Sequence, residues 1–344
     1  MRQTLRVGVV GASGAVGRRM VSILEERNFP VESLRLFASV RSEGKPVPFR
    51  GSMVRIERLT PDSFDRNIDL LFFSAGTAIS REYAPIAAKL GIFVVDNSAC
   101  WRMDEAVPLV VPELNADALR PEKKIIANPN CSTIQMVCAL YPLHLRARIK
   151  RVIVSTYQAV SGAGQKAIVE LESQIKALAE GNRVNPLVFA HQIAHNLIPQ
   201  IDVFLENGYT KEEMKMINET RKIMGDDSLM ITATCVRVPV YIGHSEAVTV
   251  DFAEKLSAAQ ATEILKSTPG VLVIDEPNKS LYPLPILAAG RDEVFVGRIR
   301  KDLSCENGIS FWIVSDNLRK GAALNAVQIG ESLLRKKYFS CDRI

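Results

Sequence analysis

Cys131 stands in the run Ala127-Asn128-Pro129-Asn130-Cys131-Ser132-Thr133, where an apolar, strand-like stretch (Ile125, Ile126, Ala127) breaks at proline and a helical pattern begins at Ser132. A thiol at a helix N-terminus faces backbone N–H groups without intrahelical partners and the positive end of the helix dipole, and both favour thiolate over thiol. That is the setting of a nucleophile. A solitary cysteine is more commonly a small buried apolar residue, so the weight falls on the other polar groups of the chain.

Gln158 lies where a strand-like segment runs into the glycine-rich bend Ser161-Gly162-Ala163-Gly164, a place where backbone can approach a ligand, although an exposed strand position is the plainer reading. His244 follows Gly243 between two expected strands, in a turn that projects the ring outward, and an imidazole near its ordinary pKa exchanges protons at neutral pH. Arg102, Lys215 and Arg237 are candidates for holding an anion. Arg237 alternates with Val236 and Val238 and so points away from the face they fill, where its planar fork could grip a carboxylate at two points. Glu212 and Lys215 lie three apart on an expected helix, Lys211 to Met224, where an ordinary surface pair is the plainer reading. His191 and His195, four apart, could share a helix face, but Gln192 breaks the metalloprotease pattern and no metal site is expected. His144 is expected to cap or solvate the end of an apolar helix.

The elements that must position these groups fall into two sets. Residues 5 to 10 read as a buried strand and 15 to 27 as an amphipathic helix, and between them lies Gly11-Ala12-Ser13-Gly14-Ala15-Val16-Gly17. Glycines there permit a tight turn, close approach of a pyrophosphate and tight packing of helix on strand, while the helix N-terminus receives negative charge. The spacing is one residue longer than the usual dinucleotide fingerprint. After the second strand, Leu34 to Ala38, no acidic residue is available for a ribose 2′-hydroxyl. Ser39, Arg41 and Ser42 offer hydroxyls and a guanidinium for a 2′-phosphate instead, which points to NADP. A solvated basic loop is the bland alternative.

Alternation continues through Leu70 to Phe73, a helix near Ile79 to Leu90 and a strand from Ile92 to Val95, which implies a parallel sheet with ligands beyond the carboxyl ends of its strands. The strand ends near Ala75-Gly76, Asp96-Asn97 and Asn128 should converge on one crevice, with Cys131 opening onto it and facing the nicotinamide. From Arg151 the strands lengthen and alternate: Val152 to Val160, Ile231 to Val240, Ala247 to Phe252, Val294 to Arg300 and Ile309 to Val314. They suggest a second domain with a mixed or antiparallel sheet.

The 344 residues, 47% hydrophobic and 24% charged, are enough for two domains with substantial cores. A formal charge of +5 is small and dispersed, so nucleic acid is not an expected partner, whereas small anionic ligands are. No apolar run approaches a bilayer span. Six cysteines (100, 131, 138, 235, 305 and 341) lack paired spacing, and no secretory leader is seen ahead of Leu5, so the expected location is the cytoplasm.

Taken together, the segments Gly11 to Gly17, Asp96 to Arg102, Asn128 to Thr133, Ser155 to Gly164, Glu212 to Lys222, Arg237 to Glu246, Val296 to Lys301 and Ser315 to Ala322 closely resemble the aspartate-semialdehyde dehydrogenase family. The resemblance runs through nearly the whole chain; Cys100-Trp101 ahead of Arg102 departs from many relatives. It implies an α/β protein: an N-terminal Rossmann-type parallel-sheet domain for NADP (1–130 with 322–344) and an α+β catalytic and dimerisation domain (131–321). It further implies that Cys131 is the acyl-accepting nucleophile, Gln158 the residue orienting the intermediate and His244 the general acid/base. Arg237 would hold the substrate α-carboxylate, Glu212 its amino group, and Arg102 with Lys215 the phosphate. The cofactor would be lined by Gly11, Ser13, Gly14, Ala15, Val16, Gly17, Ser39, Arg41, Ser161, Gly162, Ala163, Gly164 and Asn317. A homodimer or homotetramer is implied as well. Two rivals remain open: a reductase of N-acetylglutamyl phosphate with the same cysteine and histidine logic, and a catalytically silent nucleotide-binding paralogue.

Overall fold

The computed structural model describes residues 4–339, so Cys341 lies outside the described residues. The chain divides into two compact units, Met1–Asn130 with Ala322–Ile344, and Cys131–Gly321.

The first unit is built on β1 (Leu5–Val10), β2 (Val31–Ala38), β3 (Pro46–Phe49), β4 (Ser52–Arg58), β5 (Leu70–Phe73), β6 (Phe93–Asp96) and β7 (Ile125–Ala127). They form one sheet in the order β3-β4-β2-β1-β5-β6-β7, parallel throughout except for the β3–β4 edge pair. Every residue of β5 and β6 is buried, which is why these strands read as unbroken apolar runs: both faces are covered. On one face α1 (Ala15–Glu26) and the helix Leu324–Arg335 pack Met20, Ile23, Leu24, Val327 and Leu333 against Val7, Val9 and Phe72. On the other, α2 (Thr77–Lys89) sets Tyr83 and Ala84 against Leu71, Phe73 and Val94. With parallel strands, the carboxyl ends of β1, β5, β6 and β7 fall on one edge.

The second unit holds β8 (Ile149–Gln158), β9 (Met230–Arg237), β10 (His244–Phe252), β11 (Val271–Val273), β12 (Val294–Lys301) and β13 (Gly308–Ser315), ordered β11-β12-β13-β10-β8-β9. The sheet is mixed: β8–β9 and β11–β12 are parallel and the remaining pairs antiparallel. The helices α3 (Cys131–Ala147), α5 (Lys211–Met224) and α6 (Ala258–Lys266) pack on the sheet, with α4 (Gln165–Ala179) beside the turn after β8. Val152, Val154, Val248, Val250 and Ile313 are buried, while Ile153 on the opposite face is 37% exposed and the Tyr157 ring packs against Trp312, tilted by 46° with ring centres 5.4 Å apart.

This topology brings chemistry to one edge of the mixed sheet. Gln158 and Arg237 close β8 and β9 as register neighbours, and the antiparallel β10 begins at the same edge with His244, opposite Ser315. One expectation fails here. His244 opens a strand and is fully buried rather than projecting from a turn. Arg237 points away from Val236, as its alternation implies, and its side is the buried one, shared with Ala233 and Cys235, which alternation alone cannot tell. The region of His191 and His195 is not helical: His195 sits at φ +59°, and the Gln174 side chain of α4 accepts the N–H groups of Ile193 and Ala194 that a helix would have used.

Candidate active site

Cys131 is the first residue of α3, one position earlier than its sequence pattern suggests, and is half-buried. Its Cβ is crowded by Gly321: a Cβ built there would lie 2.9 Å from it. The first residue of α3 is therefore packed, through its Cα and Cβ, against a backbone that leaves no room for a side chain.

The main chain of Ala159 binds two groups at once. Its N–H donates to His244 Nδ1 at 3.0 Å, and its carbonyl accepts from Arg237 Nη1 at 2.6 Å. Gly162 lies over both tips, since a Cβ there would meet Arg237 Nη1 at 3.0 Å and His244 Nε2 at 3.3 Å. Burial, with a smaller contribution from the Arg237 charge, holds the His244 imidazole well below its ordinary pKa. Burial likewise lowers Arg237, opposed by Glu212 and by Cys131 when it is ionised, so Arg237, Glu212 and Cys131 share one neighbourhood.

Gln158, expected on one reading to be exposed, is 1% exposed, and its amide has a fixed orientation. Oε1 accepts from Thr156 Oγ1 at 3.0 Å and Nε2 donates to Glu212 Oε1 at 3.1 Å. Glu212 comes to this point because Thr210 and Glu213 form a reciprocal capping box that starts α5 at Lys211, leaving Glu212 buried in its first turn. Lys215 donates to Glu212 Oε2 at 3.1 Å and to Asp202 Oδ2 at 3.0 Å. Burial lowers the lysine pKa, but the two carboxylates outweigh it and raise it, so the ammonium stays charged.

Ser161, Gly162 and Ala163 form the short turn Val160–Ala163, and Gly164 at φ +89° leads into α4. Asn317 pins that turn: its amide exchanges hydrogen bonds with Ser161 Oγ at 2.9 and 3.2 Å and accepts the Gly243 N–H at 2.9 Å, just ahead of His244.

In the first unit, Gly11 at φ +86° turns the chain after β1, where a Cβ would lie 2.4 Å from the Ser74 carbonyl oxygen. Gly17 packs α1 on that turn, with a virtual Cβ 2.2 Å from the Gly11 oxygen. Gly14 caps α1, and Ala15 and Val16 open it. A cavity of about 510 Å³ has Gly11, Ser13, Gly14, Ser39 and Val40 in its wall. The arginine among its lining residues is Arg58; Arg41, in the exposed turn Val40–Ser42, does not line it. Arg58 ends β4 as the register partner of Ala38, a neighbour that reading along the chain after β2 does not reveal. Arg102 is nearly buried, and two main-chain carbonyls orient it: Nε donates to Asn128 and Nη2 to Asn97, each at 2.9 Å.

Residues 6–121 match the family described as semialdehyde dehydrogenase, NAD binding domain, and residues 140–320 the semialdehyde dehydrogenase dimerisation domain. An aspartate-semialdehyde dehydrogenase of Aquifex aeolicus is 56% identical over 96% of this chain and 98% of its own length. The chain belongs to the aspartate-semialdehyde dehydrogenase family. A Bacillus subtilis aspartate-semialdehyde dehydrogenase is 50% identical over 97% of this chain and 98% of its own. The crystal structure of aspartate semialdehyde dehydrogenase II from Vibrio cholerae complexed with ASA superposes with a TM-score of 0.94 at 48% identity, covering 97% of this chain and 99% of the other. The Candida albicans aspartate semialdehyde dehydrogenase with NADP matches at a TM-score of 0.78 and 25% identity, over 98% and 100% of the two chains. This aspartate-semialdehyde dehydrogenase family member is thus an oxidoreductase with a nicotinamide-nucleotide domain and a dimerisation domain. Among the described residues no helix is long and apolar enough to cross a membrane.

Several residues with positional roles escaped sequence reasoning: Thr156 beneath Gln158, Asp202 on Lys215, Gly321 against Cys131 and Arg58 in the cavity wall. Gly321 carried a signal, since glycine within a segment leading to a helix costs stability unless space demands it.

Proposed function

We propose that the protein catalyses the NADPH-dependent reductive dephosphorylation of L-4-aspartyl phosphate to L-aspartate 4-semialdehyde. The observation that carries the reading is the Ala159 main chain holding both His244 and Arg237 beside Gly162, with Gln158 and Glu212 hydrogen-bonded at the same sheet edge.

The Cys131 thiolate, favoured by the N-terminus of α3 and by the Arg237 charge, attacks the C4 carbonyl carbon of aspartyl phosphate. The bond from that carbon to the phosphate oxygen breaks, phosphate leaves, and Cys131 carries a thioester. Arg102 and Lys215 hold the phosphate, Arg237 the α-carboxylate and Glu212 the ammonium, while Gln158 orients the acyl group. NADPH, held by Gly11, Ser13, Gly14, Ala15, Val16, Gly17 and Ser39 with Ser161–Gly164 and Asn317, supplies the hydride that reduces the thioester carbon. The carbon–sulfur bond then breaks to release aldehyde and thiolate, with His244 as the acid and base facing the oxygen on which charge develops. The glycine turn at φ +86° and the cavity beside it suit a dinucleotide, and Arg58 and Ser39 in its wall favour NADP over NAD. The setting would be lysine, threonine and methionine biosynthesis through diaminopimelate and related branches, in the cytoplasm, as a homodimer or homotetramer. The dimerisation-domain match and the partly exposed sheet face around Tyr157 and Trp312 support the dimer.

The test is NADP⁺ reduction by the purified protein with aspartate 4-semialdehyde, with and without inorganic phosphate. Phosphate-dependent reduction that Cys131→Ala lowers by at least about a thousandfold, with NADPH binding retained, supports the reading. Equal turnover of N-acetylglutamate semialdehyde would overturn the substrate assignment. Cofactor binding without any reduction would leave the silent paralogue.

A further inference from the structure

Arg102 lies in a segment without helix or strand between β6 and Pro112, yet it is only 8% exposed, so its direction must be imposed by neighbours. The two carbonyls that take its Nε and Nη2 belong to Asn128 and Asn97, at the ends of β7 and β6. The side chains of these asparagines are themselves tied. Asn128 Nδ2 donates to Asn97 Oδ1 and, at 3.3 Å, to the Ala322 carbonyl. Asn128 Oδ1 accepts from Asn325 Nδ2 at 2.7 Å, and that same nitrogen donates to the Val110 carbonyl at 2.9 Å. Asn128 and Asn325 are fully buried. An amide whose NH₂ group satisfies two buried acceptors cannot be removed without orphaning both.

We propose that Asn325, near the start of the helix Leu324–Arg335, is a positioning residue for the phosphate grip of Arg102, acting through the side chain and then the main-chain carbonyl of Asn128. The inference rests on the reading of Arg102 as a phosphate-binding residue. A guanidinium recognises an anion through a planar fork, so a modest rotation costs hydrogen bonds even when the charge stays close. Asn325 fixes the peptide that sets that rotation. It touches no reacting atom, and its effect should be confined to the anion.

The experiment uses the full-length protein in the direction that consumes aspartate 4-semialdehyde and inorganic phosphate. Asn325→Leu, close in shape but without donors, should raise KM for phosphate about tenfold. The KM for the aldehyde and the affinity for NADP, read by fluorescence, should stay within about twofold. Asn325→Ser restores one donor and should recover part of the phosphate effect; it also carries the test if the leucine variant does not fold. In an Arg102→Gln background, Asn325→Leu should raise the phosphate KM no further, because the fork it orients is gone. A purely structural role predicts the reverse: lowered thermal stability and weakened NADP with an unchanged phosphate KM. That result, or full additivity with Arg102→Gln, overturns the proposal while leaving the anion role of Arg102 intact. If Arg102→Gln alone leaves the phosphate KM unchanged, the reading of Arg102 falls and this inference falls with it.

Discussion

The main-chain N–H of Ala159 donates to Nδ1 of His244 at 3.0 Å. A ring nitrogen that accepts carries no proton, so the neutral imidazole holds its hydrogen on Nε2, the atom that faces Gly162. Charging the ring would set two N–H donors against each other at Nδ1, and burial with the Arg237 charge opposes it as well. The charged group acting on the ring is Arg237 on β9, which itself feels Glu212 on α5 and Cys131 on α3; Glu246 lies two residues on along the strand that His244 opens. Nitrogen-15 spectra of labelled protein should therefore report an uncharged Nε2–H tautomer even at pH 6.5, where an ordinary histidine is half protonated. A half-charged ring at that pH, or the Nδ1–H tautomer, would sink the assignment. The folded-state pKa lies below the unfolded one, so His244 erodes stability as pH falls through 6.5, where only the unfolded chain takes the proton.

Gly321→Ala tests the seat of the nucleophile. The added methyl would sit 2.9 Å from Cys131 Cβ, closer than carbon atoms tolerate, and both partners are held by backbone rather than by a flexible side chain. Displacement of the sulfur by a fraction of an ångström should lower kcat by about 10- to 100-fold. The rate of iodoacetamide labelling of Cys131 reports the same displacement without any substrate. Unchanged kcat and labelling would mean that α3 can shift freely.

Cofactor selectivity separates two arginines. Arg58 lines the cavity beside Ser39, and Arg41 does not. Arg58→Ala should raise Kd for NADP about tenfold or more while changing NAD by less than about twofold, the difference of one charge-assisted contact to a 2′-phosphate. Arg41→Ala should have the smaller effect. The opposite ranking in a titration would return the 2′-phosphate to Arg41.

Glu246 offers a pH-dependent stability test. It lies on β10 two residues from His244, is fully buried, and among the described residues neither of its oxygens has a hydrogen-bond partner, although the Gln135 amide is close. Burial drives its pKa well above 4.5, with Gln135 offsetting part of the rise. The acid is thus neutral in the fold and ionises more easily when unfolded. Its stabilising effect is complete below pH 4.5 and is lost as pH rises toward the elevated folded value. Glu246→Gln should raise Tm by at least about 2 °C at neutral pH, with the gap closing below pH 4.5. A gap that is constant with pH would mean that the carboxyl is charged in the fold.

What the sequence makes legible follows from local physics. The helix Lys211–Met224 could be read to the residue because Thr210 and Glu213 cap its start and Gly225, at φ +66°, ends it. Strand β5 could be read because unbroken apolar runs imply burial on both faces. The spacing of His191 and His195 allowed a shared helix face but could not decide it, because a spacing of four is helical only if the backbone bonds to itself, and here Gln174 satisfies that backbone instead. The face of Arg237 was illegible for a different reason, since alternation of period two is symmetric between core and solvent.

By itself the sequence determined the chemical inventory, the alternation of strands and helices, the glycine turn after β1 and the start of α3 to within one residue. Tertiary structure alone decided which ring nitrogen of His244 carries a proton, which arginine lines the cavity, and which carbonyls aim Arg102. Each of those depends on a partner far along the chain: Ala159 lies 85 residues from His244, and Asn325 lies 197 from Asn128. Local pattern sets a residue's period and its side of an element, whereas hydrogen bonding and burial are set by whatever the folded chain brings opposite it.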